Sequence, residues 1–107
     1  VIANLIEYEF ESGNCKFIQA FDRGNMILIE VSVNGGNGWD DRFIKDLELP
    51  AECTIASILR GGEVVYPKAD TKIMKNDYVF IVTNHSTFLA IRKNLHSGGK
   101  FYEKHNR

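Results

Sequence analysis
The chain has 107 residues, 44% of them hydrophobic and 25% charged, with a formal net charge of −1. That size bounds it to one domain, or one domain with a flanking connector, burying about 65% of its unfolded surface. The balanced charge excludes a general nucleic-acid or membrane-surface polyelectrolyte, and no apolar run approaches the ~20 residues of a membrane span.

Residues 1–9 place Val1, Leu5 and Tyr8 on one helical face with Ile2 and Ile6 beside it, which predicts a short helix. The chain opens at a valine inside this apolar stretch, so it reads as a piece of something longer. Gly13-Asn14 breaks the pattern, residues 15–21 alternate as a strand, and Asp22-Arg23-Gly24-Asn25 is a turn cluster. Residues 26–33 form the clearest strand, with Ile27, Ile29, Val31 and Val33 on one face. A Gly-rich loop, 34–38, follows. Asp40 or Asp41 then supplies the acceptor for a short helix whose buried stripe is Phe43, Ile44 and Leu47, and Pro50 stops it.

A strand over 53–60 runs into Gly61-Gly62 and a second strand over 63–66. Two glycines supply the positive φ angles of a tight hairpin, so these strands pair antiparallel. Pro67 ends the ladder because it has no N–H to donate. After a polar connector, residues 78–83 are apolar on both faces and read as a buried strand. Asn84 caps a last helix that buries Phe88, Ile91 and Leu95, and Gly98-Gly99 releases a polar tail. The fold class is therefore α+β: a small sheet with two short helices.

The chemistry-bearing residues are sparse. His85, His96 and His105 have no i,i+4 partner, and neither Cys15 nor Cys53 has a second Cys or His nearby, so no metal site is expected. Cys53 opens a core strand, where a free thiol behaves as a small hydrophobe. The two cysteines read as a reduced pair. Asp40, Asp41, Asp46 and Glu48 read as helix capping in place of a calcium loop. Arg60, with Lys68, Lys72 and Lys75 beyond it, makes a small basic tip that suits a solvated sheet edge and could also hold a phosphate.

In order and in detail, the block from Leu49-Pro50 through Thr54-Ile55-Ala56, Ile58, Arg60-Gly61-Gly62, Val64, Pro67, Asp70-Thr71, Ile73, Asp77, Val79 and Ile81 resembles the C-terminal regulatory domain of Trk-A-type potassium-uptake proteins, also called the RCK C-terminal domain. The resemblance implies a TrkA-C-like regulatory domain over 26–95, a connector over 1–25 from a nucleotide-binding half, and a tail over 96–107. It implies no enzyme. It implies a cytoplasmic, ligand-sensing and dimerising module, a homodimer or higher homo-oligomer without nucleic acid, peripheral to the inner face of the plasma membrane through a potassium-transporter subunit. NAD(H) or ATP is expected on the nucleotide-binding half, and no dinucleotide fingerprint occurs in this chain. Some members bind a cyclic dinucleotide at the loop after the first helix, across a dimer interface. Carried over, the candidate ligand site is Ile44, Glu48, Leu49, Pro50 and Ala51, with Arg60 as the nearby basic group. Pro50 stands where those members have an arginine. Two other readings fit the same residues: a regulatory domain of another transporter class, and a stand-alone binding domain of the amino-acid-sensing kind.

Overall fold
The computed structural model describes residues 15–34 and 38–96. The expected helix at 1–9, the turn at Gly13-Asn14, three residues of the Gly-rich loop and the polar tail beyond His96 lie outside the described residues.

Among the described residues seven strands form: β1 (Cys15–Phe21), β2 (Met26–Ser32), β3 (Arg42–Phe43), β4 (Cys53–Arg60), β5 (Glu63–Val65), β6 (Lys72–Ile73) and β7 (Tyr78–Thr83), followed by helix α1 (His85–His96). Five of them make one sheet in the order β1-β2-β7-β4-β5, and β3 pairs with β6 in a separate ribbon. All pairings are antiparallel. Residues 15–25, expected in the connector, thus supply a strand and turn of the main sheet. The turn needs left-handed backbone at Asp22, Arg23 and Gly24, and Asp22 Oδ2 accepts from Asn25 Nδ2 at 3.2 Å.

The β2 alternation does what its sequence dictates. Ile27, Ile29, Val31 and Val33 are buried, and Val79, Ile81 and Ile58 line up beside them from β7 and β4. Phe88 and Ile91 of α1 close over this layer, with Trp39 and Ile73 completing the core. Asn84 caps α1 as expected: its Oδ1 accepts from Thr87 N at 2.8 Å, and its carbonyl from Phe88 N at 2.9 Å. The Gly61-Gly62 hairpin also forms, with φ of +57° and +86° and Arg60 paired to Glu63.

Two expectations change. The helix over residues 40–49 does not form; strand β3 and a single 3₁₀ turn, Ile44–Asp46, take its place. The backbone donors there go to a distant segment instead of up a helix. Asp41 N donates to the Ile73 carbonyl at 2.6 Å, Ile44 N to Thr71 at 2.9 Å and Lys45 N to Ala69 at 2.9 Å. Asp41 itself sits at φ +66° and cannot be a helix cap. Of the two helices expected over residues 26–95, the described residues hold one. Second, β7 is not buried on both faces. Val79, Ile81 and Thr83 are buried, Phe80 and Val82 are half-buried, and Tyr78 is exposed.

Candidate functional site: a tethered loop at the start of β4
Residues 44–52 leave the small ribbon and lead into β4. Ile44, Leu47 and Leu49 pack against the core from its edge. Both ends are fastened. Arg42 donates from Nη2 to the Asp46 carbonyl at 2.9 Å and from Nη1 to the Gly38 carbonyl at 3.4 Å. At the other end, the Thr83 hydroxyl donates to the Glu52 carbonyl at 2.8 Å, and Thr87 Oγ1 lies 3.4 Å from Glu52 Oε1. The Cys53 thiol donates to the Pro50 carbonyl at 3.3 Å. The middle of the loop is therefore presented between fixed supports, with Glu48 and Ala51 exposed and Leu49 and Pro50 half-buried.

Arg60 is not beside residues 48–51. It ends β4 while they precede its first residue, which at about 3.4 Å per residue puts about 24 Å of strand between them. Its Nε and Nη2 groups are already engaged. Nε and Nη2 each donate to the Asp77 carboxylate at 2.9 Å, and Nη2 also to the Lys72 carbonyl at 2.9 Å. The hydrogen bond to Asp77 holds the guanidinium above its ordinary pKa, against partial desolvation. Asp77 is 1% exposed and accepts in addition from Met74 N at 2.9 Å. Arg60 reads as a tie within the fold.

Phe43, which its spacing assigns to a buried stripe, is 37% exposed. Lys72 and Lys45 place their ammonium groups 5.2 Å and 5.8 Å from its ring centroid, within cation–π range. Lys72 also pairs with Asp41 at 3.3 Å. The clue in the sequence is a phenylalanine flanked by Arg42 and Lys45, a pattern that suits an exposed ring better than a helix stripe.

The cysteines offer little to nucleophilic chemistry. Burial pushes the Cys15 thiol up to about 12, against the opposing pull of Arg92, and burial also raises Cys53. Among the described residues, no cluster of three or more His, Cys, Asp or Glu could hold a metal ion, and no helix is long and apolar enough to cross a membrane.

A five-stranded antiparallel sheet with one capping helix, a two-stranded ribbon and a tethered loop at its edge defines, over the described residues, a small α+β domain. The chain belongs to the TrkA-C domain family, whose pattern matches residues 28–96. It is 28% identical over 82 residues to the Trk system potassium uptake protein TrkA of Mycobacterium tuberculosis, covering 77% of this chain and 37% of that protein. It is 38% identical over 66 residues to a TrkA homolog of Archaeoglobus fulgidus, covering 62% of this chain and 15% of that one. The chain thus spans well under half the length of these curated relatives. Among solved structures it is similar to the GsuK RCK domain, with TM-score 0.69 and 16% identity over 84% of this chain and 19% of the other. It is also similar to S. agalactiae BusR in complex with busA-promotor DNA, with TM-score 0.58 and 15% identity over 90% of this chain and 48% of that one.

Proposed function
We propose that this chain is the ligand-sensing and pairing domain of a regulatory subunit that controls potassium uptake by a membrane transporter from its cytoplasmic side. The observation that carries this is the TrkA-C match across residues 28–96, together with curated relatives that are potassium-uptake proteins. The domain is not an enzyme in this reading. It acts by differential affinity: a ligand that prefers one arrangement of paired domains shifts the population toward it, and the shift passes to the transporter. A nucleotide, NAD(H) or ATP, is assigned to a companion nucleotide-binding half and to no residue of this chain.

The ligand pocket we place at Ile44, Glu48, Leu49, Pro50 and Ala51. What supports it is a loop fixed at both ends with a half-buried apolar centre, leading directly to Thr54 at the start of β4. Arg60 is left to its Asp77 pair. The likeness to BusR is one of fold alone, and a net charge of −1 does not mark this chain as a general nucleic-acid polyelectrolyte. Excision of residues 28–96 from the chromosomal gene, followed by rubidium-uptake measurement at limiting potassium, tests the reading. Loss of regulated uptake is expected. Uptake that is unchanged in rate and in regulation overturns it.

A further inference from the structure
Charge is unevenly placed along this chain. Residues 1–14 hold three of the 14 acidic residues, Glu7, Glu9 and Glu11, and none of the 13 lysines and arginines. A net charge of −1 therefore conceals an acidic segment joined to a basic remainder. The segment is also apolar: at helical spacing Val1, Ile2, Leu5, Ile6 and Tyr8 share one stripe. Glu9 follows Leu5 by four positions and Ile6 by three, so it falls inside that stripe. A surface that receives the stripe must be apolar with a cation at its centre.

The outer face of the β3–β6 ribbon has that composition. Successive strand residues point to opposite sides. Ile73 is fully buried, so Lys72 and Met74 face outward, and Phe43, the direct partner of Lys72, faces outward with it. Phe43 and Met74 are 37% and 39% exposed. Lys72 and Lys45 stand over the Phe43 ring, and exposed Lys75 follows Met74. The acidic neighbour is Asp41, 3.3 Å from Lys72. Two apolar side chains thus flank a lysine, on a face where three lysines meet one aspartate. The outer side of α1 offers less: among the described residues Leu89, 38% exposed, is its one large apolar group.

Chain geometry brings the segment to this face. β1 starts at Cys15, opposite Val31. Two residues past Val31, at the same end of the sheet, Val33 N donates to the Asp77 carbonyl at 2.9 Å, and the Val33 carbonyl accepts from Asn76 N. The turn of residues 74–77 therefore closes the end of the sheet at which β1 begins. Two strand spacings across and two residues along separate Cys15 from Asp77 by about 12 Å. Residues 12–14, Ser-Gly-Asn, reach about 10 Å when extended, which delivers residue 11 beside Met74 without a long linker.

We propose that residues 1–11 dock on the outer face of this ribbon, with Leu5 and Ile6 against Phe43 and Met74 and Glu9 against Lys72. The ribbon runs directly into the loop of residues 44–52, so the same two strands hold both the segment that enters the domain and the loop that leads to β4. This goes beyond the function proposed above and stands without it, because the contact requires neither a ligand nor a second copy.

Disulfide trapping in the 107-residue chain tests the contact. In a Cys53→Ser background, which leaves the buried Cys15 as the native thiol, Glu9→Cys is combined with Lys72→Cys or with Lys93→Cys on the outer side of α1. Each variant is oxidised with diamide under native conditions. Bridging needs Cβ atoms about 4 Å apart, so the 9–72 pair should close within one chain about tenfold faster than the 9–93 pair. A faster 9–93 bridge, equal rates, or a 9–72 bridge that links two chains overturns the proposal. Amide spectra give a second reading that needs no added cysteine. Glu9→Lys should shift the resonances of Phe43, Lys72 and Met74 and leave those of Leu89 and Lys93 in place. Unchanged ribbon resonances overturn the contact. Neither measurement involves uptake, so failure here leaves the regulatory reading where it stands.

Discussion
Arg60 and Asp77, 17 positions apart, meet in a two-point ion pair: Nε to Oδ1 and Nη2 to Oδ2, each 2.9 Å. The pair joins the end of β4 to the turn before β7, and the same guanidinium also takes the Lys72 carbonyl of β6. It therefore fastens the small ribbon to the main sheet. The two ends differ in solvation, with side-chain exposures of 39% and 1%.

That asymmetry predicts unequal mutants. Arg60→Leu leaves Asp77 buried with a backbone donor from Met74 but without its counter-charge. Breaking a fully buried pair costs about 3–5 kcal/mol, and the exposure of Arg60 reduces this to about 2 kcal/mol. Asp77→Leu removes the acceptor of Met74 N as well and should cost at least as much. Urea midpoints read both, and a loss under about 0.5 kcal/mol for Arg60→Leu would deny the pair its structural role.

Gly61 and Gly62 are needed for their backbone and not for space. A Cβ at either would meet nothing within 4 Å, yet both have positive φ. Gly61→Asn should be tolerated within about 0.5 kcal/mol, because asparagine readily adopts left-handed backbone and Asn-Gly is a favoured two-residue turn. Gly61→Val should cost about 1–2 kcal/mol. Thermal melts of the two variants give the comparison, and equal losses would mean that the turn conformation is not what constrains the site.

Local chemistry explains which elements were legible. The β2 alternation, the Gly-Gly turn and the Asn84 cap are written in neighbouring residues, and all three appear. What could not be read locally depends on distant partners. In β4 a strict period of two would place Ser57 and Leu59 beside Cys53 and Ile55. The pairing with β7 instead inserts an extra residue between Ile55 and Ser57, which turns Ile58 into the core and brings Arg60 to the side where Asp77 waits. The bulge is a property of two strands together. Residues 43, 44 and 47 likewise fit a helix by spacing alone, and only the carbonyls of residues 69–73 decide for a strand and a 3₁₀ turn. The candidate loop was placed by resemblance; its tethers to Arg42 and Thr83 were not visible in the sequence.

Pro50 makes the ligand reading specific. The resemblance implies that it stands where cyclic-dinucleotide binders of that family carry an arginine, so the proposed site would lack that charge-assisted phosphate contact. Such a contact contributes about 1.5–3 kcal/mol, or ten- to a hundredfold in affinity. Calorimetry with cyclic di-adenosine monophosphate should show weak or no binding to the parent and at least tenfold tighter binding to Pro50→Arg. Sub-micromolar affinity of the parent would remove the argument, and chemical-shift changes centred on Cys15 would move the site elsewhere.

Cys15 should make stability fall in alkali. Its thiol is raised from 9.0 to about 12 in the folded chain by burial in the core, with Arg92 pulling the other way. In the unfolded chain it ionises near its ordinary value. Between these two values the unfolded state releases the proton and the native state keeps it, so stability declines as pH rises. The contribution is fully present below about pH 9 and is lost progressively toward pH 12, at no more than about 1.4 kcal/mol per pH unit from one thiol. Lysine and tyrosine side chains titrate in the same range, so the reading must be differential. Cys15→Ala keeps every other titrating group, Cys53 included. Urea midpoints at pH 8 and 10.5 should therefore fall further for the parent than for Cys15→Ala, by about 1–2 kcal/mol. Parallel profiles for the two chains would show that this thiol is not held neutral in the core.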